Sequence, residues 1–239
     1  MDGMLLAVLG LGFALGLRHA LDPDHMVAVS TIVSEHKSFR KSSLVGTFWG
    51  LGHTASLLAV GILVLAFKRN IPEHVAQWME FGVAVMLVVL GAKAVRKALR
   101  GWTLHVHEHV HDGRRHIHIH IHRPQEVQVH HHRHLLGFGT QPFLIGMIHG
   151  LAGSAALMIL VLGTIPSAIA GLIYIAMFGL GSVGGMLIMS SLISLPFILT
   201  AKRFSVLCEG IQVVVGLSSI VFGFFLVWQY GFQERLFYR

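Results

Sequence analysis

Residues 18–25 read Arg-His-Ala-Leu-Asp-Pro-Asp-His, which puts two imidazoles and two carboxylates within eight positions. Neutral imidazole is a good ligand for nickel, cobalt, zinc and copper, and carboxylate adds a hard oxygen that offsets cation charge. His19 and Asp22 are three apart and can share one face of a helix. Asp22-Pro23-Asp24 is a helix-start signal, with Asp22 as N-cap and Pro23 in the first helical position. His25 then lies one turn past the cap and can fold back towards it. Arg18 is a poor ligand and is expected to pair with Asp22 or Asp24, or to set the local charge. Arg18, Asp22 and Asp24 sum to −1, so a bound divalent ion leaves +1 rather than +2 to be solvated. The chemistry these residues suit is capture of a divalent transition-metal cation.

Two further histidines stand alone in apolar runs. His53 and His149 each lie about nine residues in, near mid-bilayer on a 1.5 Å rise. Small or hydroxylic neighbours follow each one, in His53-Thr-Ala-Ser and His149-Gly-Leu-Ala-Gly-Ser-Ala, and small residues permit close helix approach. Either histidine alone could be a helix–helix hydrogen-bond partner. Both, with His19, Asp22, Asp24 and His25 at comparable depth, favour one shared metal site.

The elements that must position these groups follow from composition. Of 239 residues, 54% are hydrophobic and only 12% charged, and the mean hydropathy is +0.70. Soluble domains carry about 25% charged residues, so this surface is built for lipid. Six spans are expected: Met4 to Leu21 with a modified extension to Val33, Leu44–Phe67, Val75–Val95, Pro142–Ile165, one within Ser167–Thr200, and Val206–Tyr230. A straight helix from Met4 to Val33 would be about 45 Å long, against a hydrocarbon core of roughly 30 Å. Pro23 supplies a break, and Met4–Leu17 is too short to cross alone, so the 18–25 motif belongs part-way into the membrane. In the fifth run, Gly179–Gly185 and Pro196 are expected to bend or break the helix. The N-terminus lacks a basic region and a small-residue cleavage pattern, and reads as a retained first span.

The fold class is therefore an all-α polytopic membrane protein of about six transmembrane helices. Phe13–Asp22 and Phe143–Ala152 match at Phe, Gly, His and Leu at an offset of 130, and Gly50–His53 resembles Gly179–Ser182. Three spans per half is odd, so the halves would be inverted repeats: residues 1–99 and 141–239, joined by a histidine-rich loop at 100–140. Near the helix ends, the side bearing this loop carries nine basic residues (Lys37, Arg40, Lys41, Lys93, Arg96, Lys97, Arg100, Lys202 and Arg203). The terminal side carries four: Lys68, Arg69, Arg235 and Arg239. The positive-inside rule then puts the loop in the cytoplasm and both termini outside, in a cytoplasmic (inner) membrane. Because the basic residues sit at span ends, the net charge of +7 marks topology and lipid contact rather than nucleic-acid binding. A single cysteine, Cys208, excludes internal disulfides and soft thiolate metal sites.

The loop holds twelve of the eighteen histidines. His105, His107, His109 and His111 alternate with other residues, as do His116, His118, His120 and His122; His130, His131, His132 and His134 follow. Period two is a strand pattern, and Asp112-Gly113 is a hairpin-turn dipeptide. A four-residue turn would set His111 opposite His116; a two-residue turn shifts the partners and keeps every histidine on one face. The other reading is a low-complexity loop that binds metal loosely. In both, the twelve form an auxiliary tract that buffers, senses or delivers metal.

The sequence also resembles a family. Arg18–His25 resembles the His-x4-Asp-His signature of bacterial nickel/cobalt permeases, and Phe48–Ser56 resembles the second histidine motif of that superfamily. Gly146–Leu157 is similar to the half-repeat motif of the short urease-accessory-type members. The resemblance implies that His19, Asp22 and His25 are primary Ni2+/Co2+ ligands or selectivity residues, with His53 and His149 on the same path. Longer members have eight helices, so the present first span would match their second; six spans with a histidine-rich loop also resembles the efflux branch. The expected function is secondary transport of Ni2+ and/or Co2+ as substrate, with no organic cofactor and with uptake slightly favoured over efflux. Partners would be the metal ions, membrane lipid, and a second copy or a metallochaperone. Rival readings are weaker: His-Glu-x-x-His is absent, and His130–His134 only weakly resembles a di-iron enzyme's histidine box. A sensor would not need His53 and His149, and Met186–Met189 is ordinary packing rather than a copper(I) path.

Overall fold

The computed structural model describes residues 3–36, 38–67, 72–99, 103–111, 114–122, 135–152, 165, 167–201, 204–234 and 236. Helices form along the apolar runs, and Pro23 opens a new helix after the first one ends at His19. They are α1 (Gly3–His19), α2 (Pro23–Ser34), α3 (Phe39–Phe67), α4 (Glu73–Leu99), α5 (Leu135–Gly150), α6 (Ala168–Ala201) and α7 (Ser205–Trp228). A π-helical turn, Gln229–Gln233, extends α7. Four of these helices are long and apolar enough to cross a membrane: α3, α4, α6, and α7 with its π turn.

The other two expected spans are shorter. α1 and α5 have 17 and 16 residues, about 25 Å each, below the roughly 30 Å of a hydrocarbon core. Of the span expected at Pro142–Ile165, residues 142–150 lie in a helix that begins at Leu135 and stops at Gly150. His149 therefore stands in a last turn, not in mid-helix. Glycine is a poor helix former, and Gly150 and Gly153 flank the stop. Residues 153–164, which the expected span included, lie outside the described residues.

The fifth run also differs from expectation: α6 is one helix of 34 residues, unbroken through Gly179–Gly185 and Pro196. Its glycines serve close approach rather than bending. A Cβ on Gly181 would strike the carbonyl of Phe13, one on Gly185 the side chain of Ala20, and one on Gly179 the side chain of Thr54. Small residues at a crossing let backbones meet, which in lipid is the main source of helix association.

Two crossings repeat the same geometry. Where α1 meets α6, Gly16 faces the carbonyl of Phe178 and Gly181 faces that of Phe13. Where α5 meets α3, Gly146 faces the carbonyl of Trp49 and Gly52 faces that of Phe143. Positions in α1 and α5 correspond at an offset of 130, and those in α3 and α6 at 129. The turns that end α1 and α5 correspond too. Leu21 N–H donates to Arg18 O at 2.8 Å and Asp22 N–H to His19 O at 3.0 Å; Leu151 donates to Ile148 at 3.3 Å and Ala152 to His149 at 3.1 Å. Gly52→Ala is expected to lower the thermal midpoint through about 1–3 kcal/mol of overpacking. Gly82, with nothing within 4 Å of an added Cβ, should accept alanine without loss. Thermal unfolding of both purified variants checks this.

α2 occupies the middle of the bundle. It contacts α3, α4, α6 and α7, and buries His25, Ala28, Val29 and the stretch from Thr31 to Ser34. Its hydroxyls bond its own backbone, Thr31 to Val27 O at 2.8 Å and Ser34 to Thr31 O at 2.8 Å. At its far end Lys97 Nζ meets Glu35 Oε2 at 2.8 Å, and Gln212 Nε2 donates to Ser34 O. Val83 and Leu87 of α4 and Trp49 of α3 join α2 in the main apolar cluster.

Between α4 and α5, strands β1 (Thr103–His111) and β2 (Arg114–His122) pair antiparallel. The register sets His105 opposite His120, His107 opposite His118, His109 opposite His116 and His111 opposite Arg114. Only positions 112 and 113 separate the strands. The pairing of His111 with His116 that a four-residue turn requires does not occur, because Asp-Gly favours a two-residue loop.

Candidate metal centre

The chain brings His19, Asp22, Asp24, His25, His53 and His149 together from α1, α2, α3 and α5. His19 is the last residue of α1, placed where the helix must end before Pro23. Asp22 has the extended backbone of an N-cap, but its carboxylate caps nothing. It instead accepts a hydrogen bond from His19 Nδ1 at 2.6 Å. Asp24, in the first turn of α2, accepts from His25 Nδ1 at 3.2 Å and from His149 Nε2 at 2.8 Å. His19 Nε2 lies 3.2 Å from His53 Nε2.

These contacts assign the ring protons. With His19 Nδ1 donating to Asp22, its Nε2 accepts from His53 Nε2–H. Three ring nitrogens then carry lone pairs with no partner among the described residues: His25 Nε2, His53 Nδ1 and His149 Nδ1. All three rings are buried, at 1%, 0% and 1% exposure, and an unpartnered buried polar atom costs about 1–3 kcal/mol. Buried imidazole lone pairs without a partner are donors that a cation can use. Two nitrogens on one ion, at bonds of about 2.1 Å, stand about 3.0–3.4 Å apart, so the 3.2 Å between His19 Nε2 and His53 Nε2 also suits a shared ion once the His53 proton moves to Nδ1.

Two overlapping groups of three have ligand atoms within 4.8 Å of one another: His19 with His25 and His53, and Asp24 with His25 and His149. His25 belongs to both. Its ring centroid is 4.3 Å from that of His19, 4.0 Å from His149 and 5.1 Å from His53. Trp49 packs 5.5 Å from the rings of both His25 and His149, and Phe178 lies 5.6 Å from His19. One group is all nitrogen and the other mixes nitrogen with oxygen, a donor set for a borderline divalent metal such as nickel or cobalt.

A cavity of about 340 Å3 reaches the cluster. His19, Asp22, Asp24 and His149 line it, while His25 and His53 lie behind them. It is also lined by Glu80 in the first half of α4 and Tyr230 in the π turn after α7. The two share this cavity, where a phenol O–H can serve as donor to a carboxylate. Sequence reasoning passed over both residues, although a lone glutamate inside the run Val75–Val95 was the signal: an ionisable group within a span is a functional candidate by default.

Of the two roles expected for Arg18, pairing does not occur. The side chain is exposed and pairs with neither aspartate; Asp22 and Asp24 bond histidines instead. An exposed guanidinium keeps its hydration, while the two carboxylates accept from buried imidazole N–H groups. Of the auxiliary histidines, His105, His107, His109, His111, His116, His118, His120 and His122 lie on β1 and β2. His130, His131, His132 and His134 lie outside the described residues.

A family model described as NicO, high-affinity nickel-transport protein, matches residues 5–218. The chain is 39% identical to the urease accessory protein UreH of Bacillus sp. (strain TB-90), over 98% of its own length and 96% of that protein's. It is 29% identical to the chloroplast protein FOR GROWTH AND FERTILITY 2 of Arabidopsis thaliana, over 72% of the chain and 43% of that protein. To the high-affinity nickel transport protein of Cupriavidus necator it is 26% identical, over 34% of the chain and 24% of that protein. No solved structure matches the chain.

Proposed function

The chain belongs to the NicO family of high-affinity nickel-transport proteins, and from that premise we propose that it is a secondary transporter carrying Ni2+, Co2+ or both across the cytoplasmic membrane through the His/Asp cluster. The observation that carries this reading is the gathering of four buried imidazoles and two carboxylates, drawn from four helices, beside a cavity that four of the six line. His19, Asp22, Asp24, His25, His53 and His149 hold the ion, and imidazole and carboxylate replace the water it gives up. Transport of an unchanged ion needs no enzyme chemistry, and membership of a transport family favours it over the di-iron and sensor readings.

The two equivalent crossings support a pair of inverted three-helix repeats, residues 1–99 and 141–239, that rock to alternate access. Each half's first helix packs on the other half's second, so neither half can move without re-forming both contacts. The repeats are unequal where chemistry is concerned. His53 corresponds to Ser182 and Asp22 to Ala152, and Ser182 is tied to Gly16 O at 3.2 Å. One half supplies most ligands and the other chiefly His149.

High affinity suits capture of a dilute ion, so uptake is the favoured direction. A relative named as a urease accessory protein supports nickel as the cargo and a nickel enzyme as its destination. The loop at 100–140 faces the cytoplasm by its basic flanks, with the termini outside, and its histidines buffer arriving metal or pass it to a metallochaperone or a second copy of the chain.

The test is uptake of nickel, cobalt, zinc and copper into proteoliposomes holding the purified protein. Saturable nickel or cobalt flux supports the reading, and flux no greater than protein-free vesicles ends it. In cells, expression should raise total nickel; a fall would reverse the assigned direction. Deleting residues 104–134 should leave the maximum nickel flux within about 2-fold, since the cluster uses none of them; its loss would move the loop into the pathway.

A further inference from the structure

Glu80 is half-buried in α4, a helix apolar enough to cross a membrane. A carboxylate there is expensive and calls for a counter-charge. The polar groups that line the cavity with it include neutral Tyr230 and the carboxylates of Asp22 and Asp24. No basic side chain among the described residues pairs with it. Glu80, Asp22 and Asp24 thus put three carboxylates on one cavity, together with His149, whose Nδ1 is buried and unpartnered. The π turn that carries Tyr230 closes through Glu234 N–H to Gln229 O at 3.0 Å. Such turns occur where a helix must aim a side chain off its regular track.

Size decides what the cavity can hold. Six waters at about 30 Å3 each occupy about 180 Å3, so a divalent ion with its inner hydration shell fits within about 340 Å3. His25 and His53, which do not line the cavity, become accessible only to an ion that has shed water.

We propose that Glu80, oriented by Tyr230, is the recruiting carboxylate of a vestibule where the divalent cation is held, still hydrated, before it reaches the His/Asp cluster. This rests on the reading of that cluster as the cation site. Glu80 raises the local cation concentration through its charge and leaves dehydration and transfer to the histidines. Its loss therefore changes the concentration dependence of transport, not the turnover.

The experiment is initial nickel uptake against nickel concentration in proteoliposomes, for wild type, Glu80→Gln, Glu80→Asp, Tyr230→Phe and His25→Ala. Glu80→Gln should raise the half-saturating concentration about 10-fold, with the maximum rate within about 2-fold, the size of effect expected for a focusing charge. Glu80→Asp should recover part of it, and Tyr230→Phe should raise it about 3-fold. Added salt should raise the wild-type value more than that of Glu80→Gln, since screening acts on the charge. An unchanged half-saturation in Glu80→Gln, or a fall in maximum rate alone, overturns the proposal. Should Glu80→Gln fail to fold, Tyr230→Phe decides, and an unchanged value there overturns it. If wild type takes up nickel and His25→Ala does not, a normal Glu80→Gln removes only the vestibule; no wild-type uptake removes both readings.

Discussion

His25→Ala is expected to lower nickel uptake about 100-fold or more and to leave a folded protein. The ring of His25 is common to both groups of three, so its loss leaves each with two ligands. A divalent transition metal held by two ligands cannot offset its lost water, and even partners one shell out from a metal change affinity by 10–100-fold. Folding is spared because, among the described residues, Nε2 bonds nothing and Nδ1 holds only Asp24, at 3.2 Å. The cavity left behind lies among rings that already have unmet polar atoms. His53→Ala should be graded: it spares the Asp24–His25–His149 group, so nickel binding in detergent persists while flux falls. Arg18→Gln should change little, because that side chain is exposed and pairs with neither aspartate. Calorimetric titration with nickel, beside flux measurements, separates these cases. Normal binding and flux in His25→Ala would remove the cluster from the pathway.

The cluster was readable from sequence because each member breaks a local rule. Asp-Pro-Asp interrupts an apolar run, and His53 and His149 are the only ionisable residues in theirs. Intramembrane polarity is expensive, so residue type alone carries information about depth and purpose. The partner choices were not readable. Arg18 and Asp22 look complementary by charge, but hydration holds the guanidinium outside while buried Nδ1–H groups need acceptors. The behaviour of glycine was misread for a related reason. Gly179–Gly185 resembles a hinge in one dimension, whereas its use depends on which backbone crosses it, and Phe13 and Leu17 of α1 do. The end of α5 at Gly150 was hidden because hydropathy continues past it without a break to Ile165. Glu80 was visible as a lone carboxylate in a span, yet its value lies in facing Asp24 across a shared cavity, which only packing reveals.

Asp24→Asn is expected to cost nickel transport about as much as removing His25, despite leaving the side chain's shape intact. Asp24 accepts two hydrogen bonds, one from each side of the cluster: His25 Nδ1 at 3.2 Å and His149 Nε2 at 2.8 Å. That double acceptance keeps Nε2 of His25 and Nδ1 of His149 unprotonated and available. An asparagine offers one acceptor oxygen, and its amide donates where a second acceptor was needed. One histidine must then reverse its tautomer and turn a lone pair towards the amide, away from the ion. The substitution also deletes one of two charges that offset the cation beside these rings. Asp22→Asn makes the contrast. Among the described residues Asp22 accepts only from His19, at 2.6 Å, so the amide oxygen can keep that bond and only charge is lost. Its flux should fall about 10-fold, roughly 1.4 kcal/mol, a single weakened electrostatic contact. Nickel affinity and flux of the two variants should therefore separate by an order of magnitude, with Asp24→Asn the worse. Equal losses would mean that the carboxylates act by charge alone and that the orientation of the rings is set elsewhere.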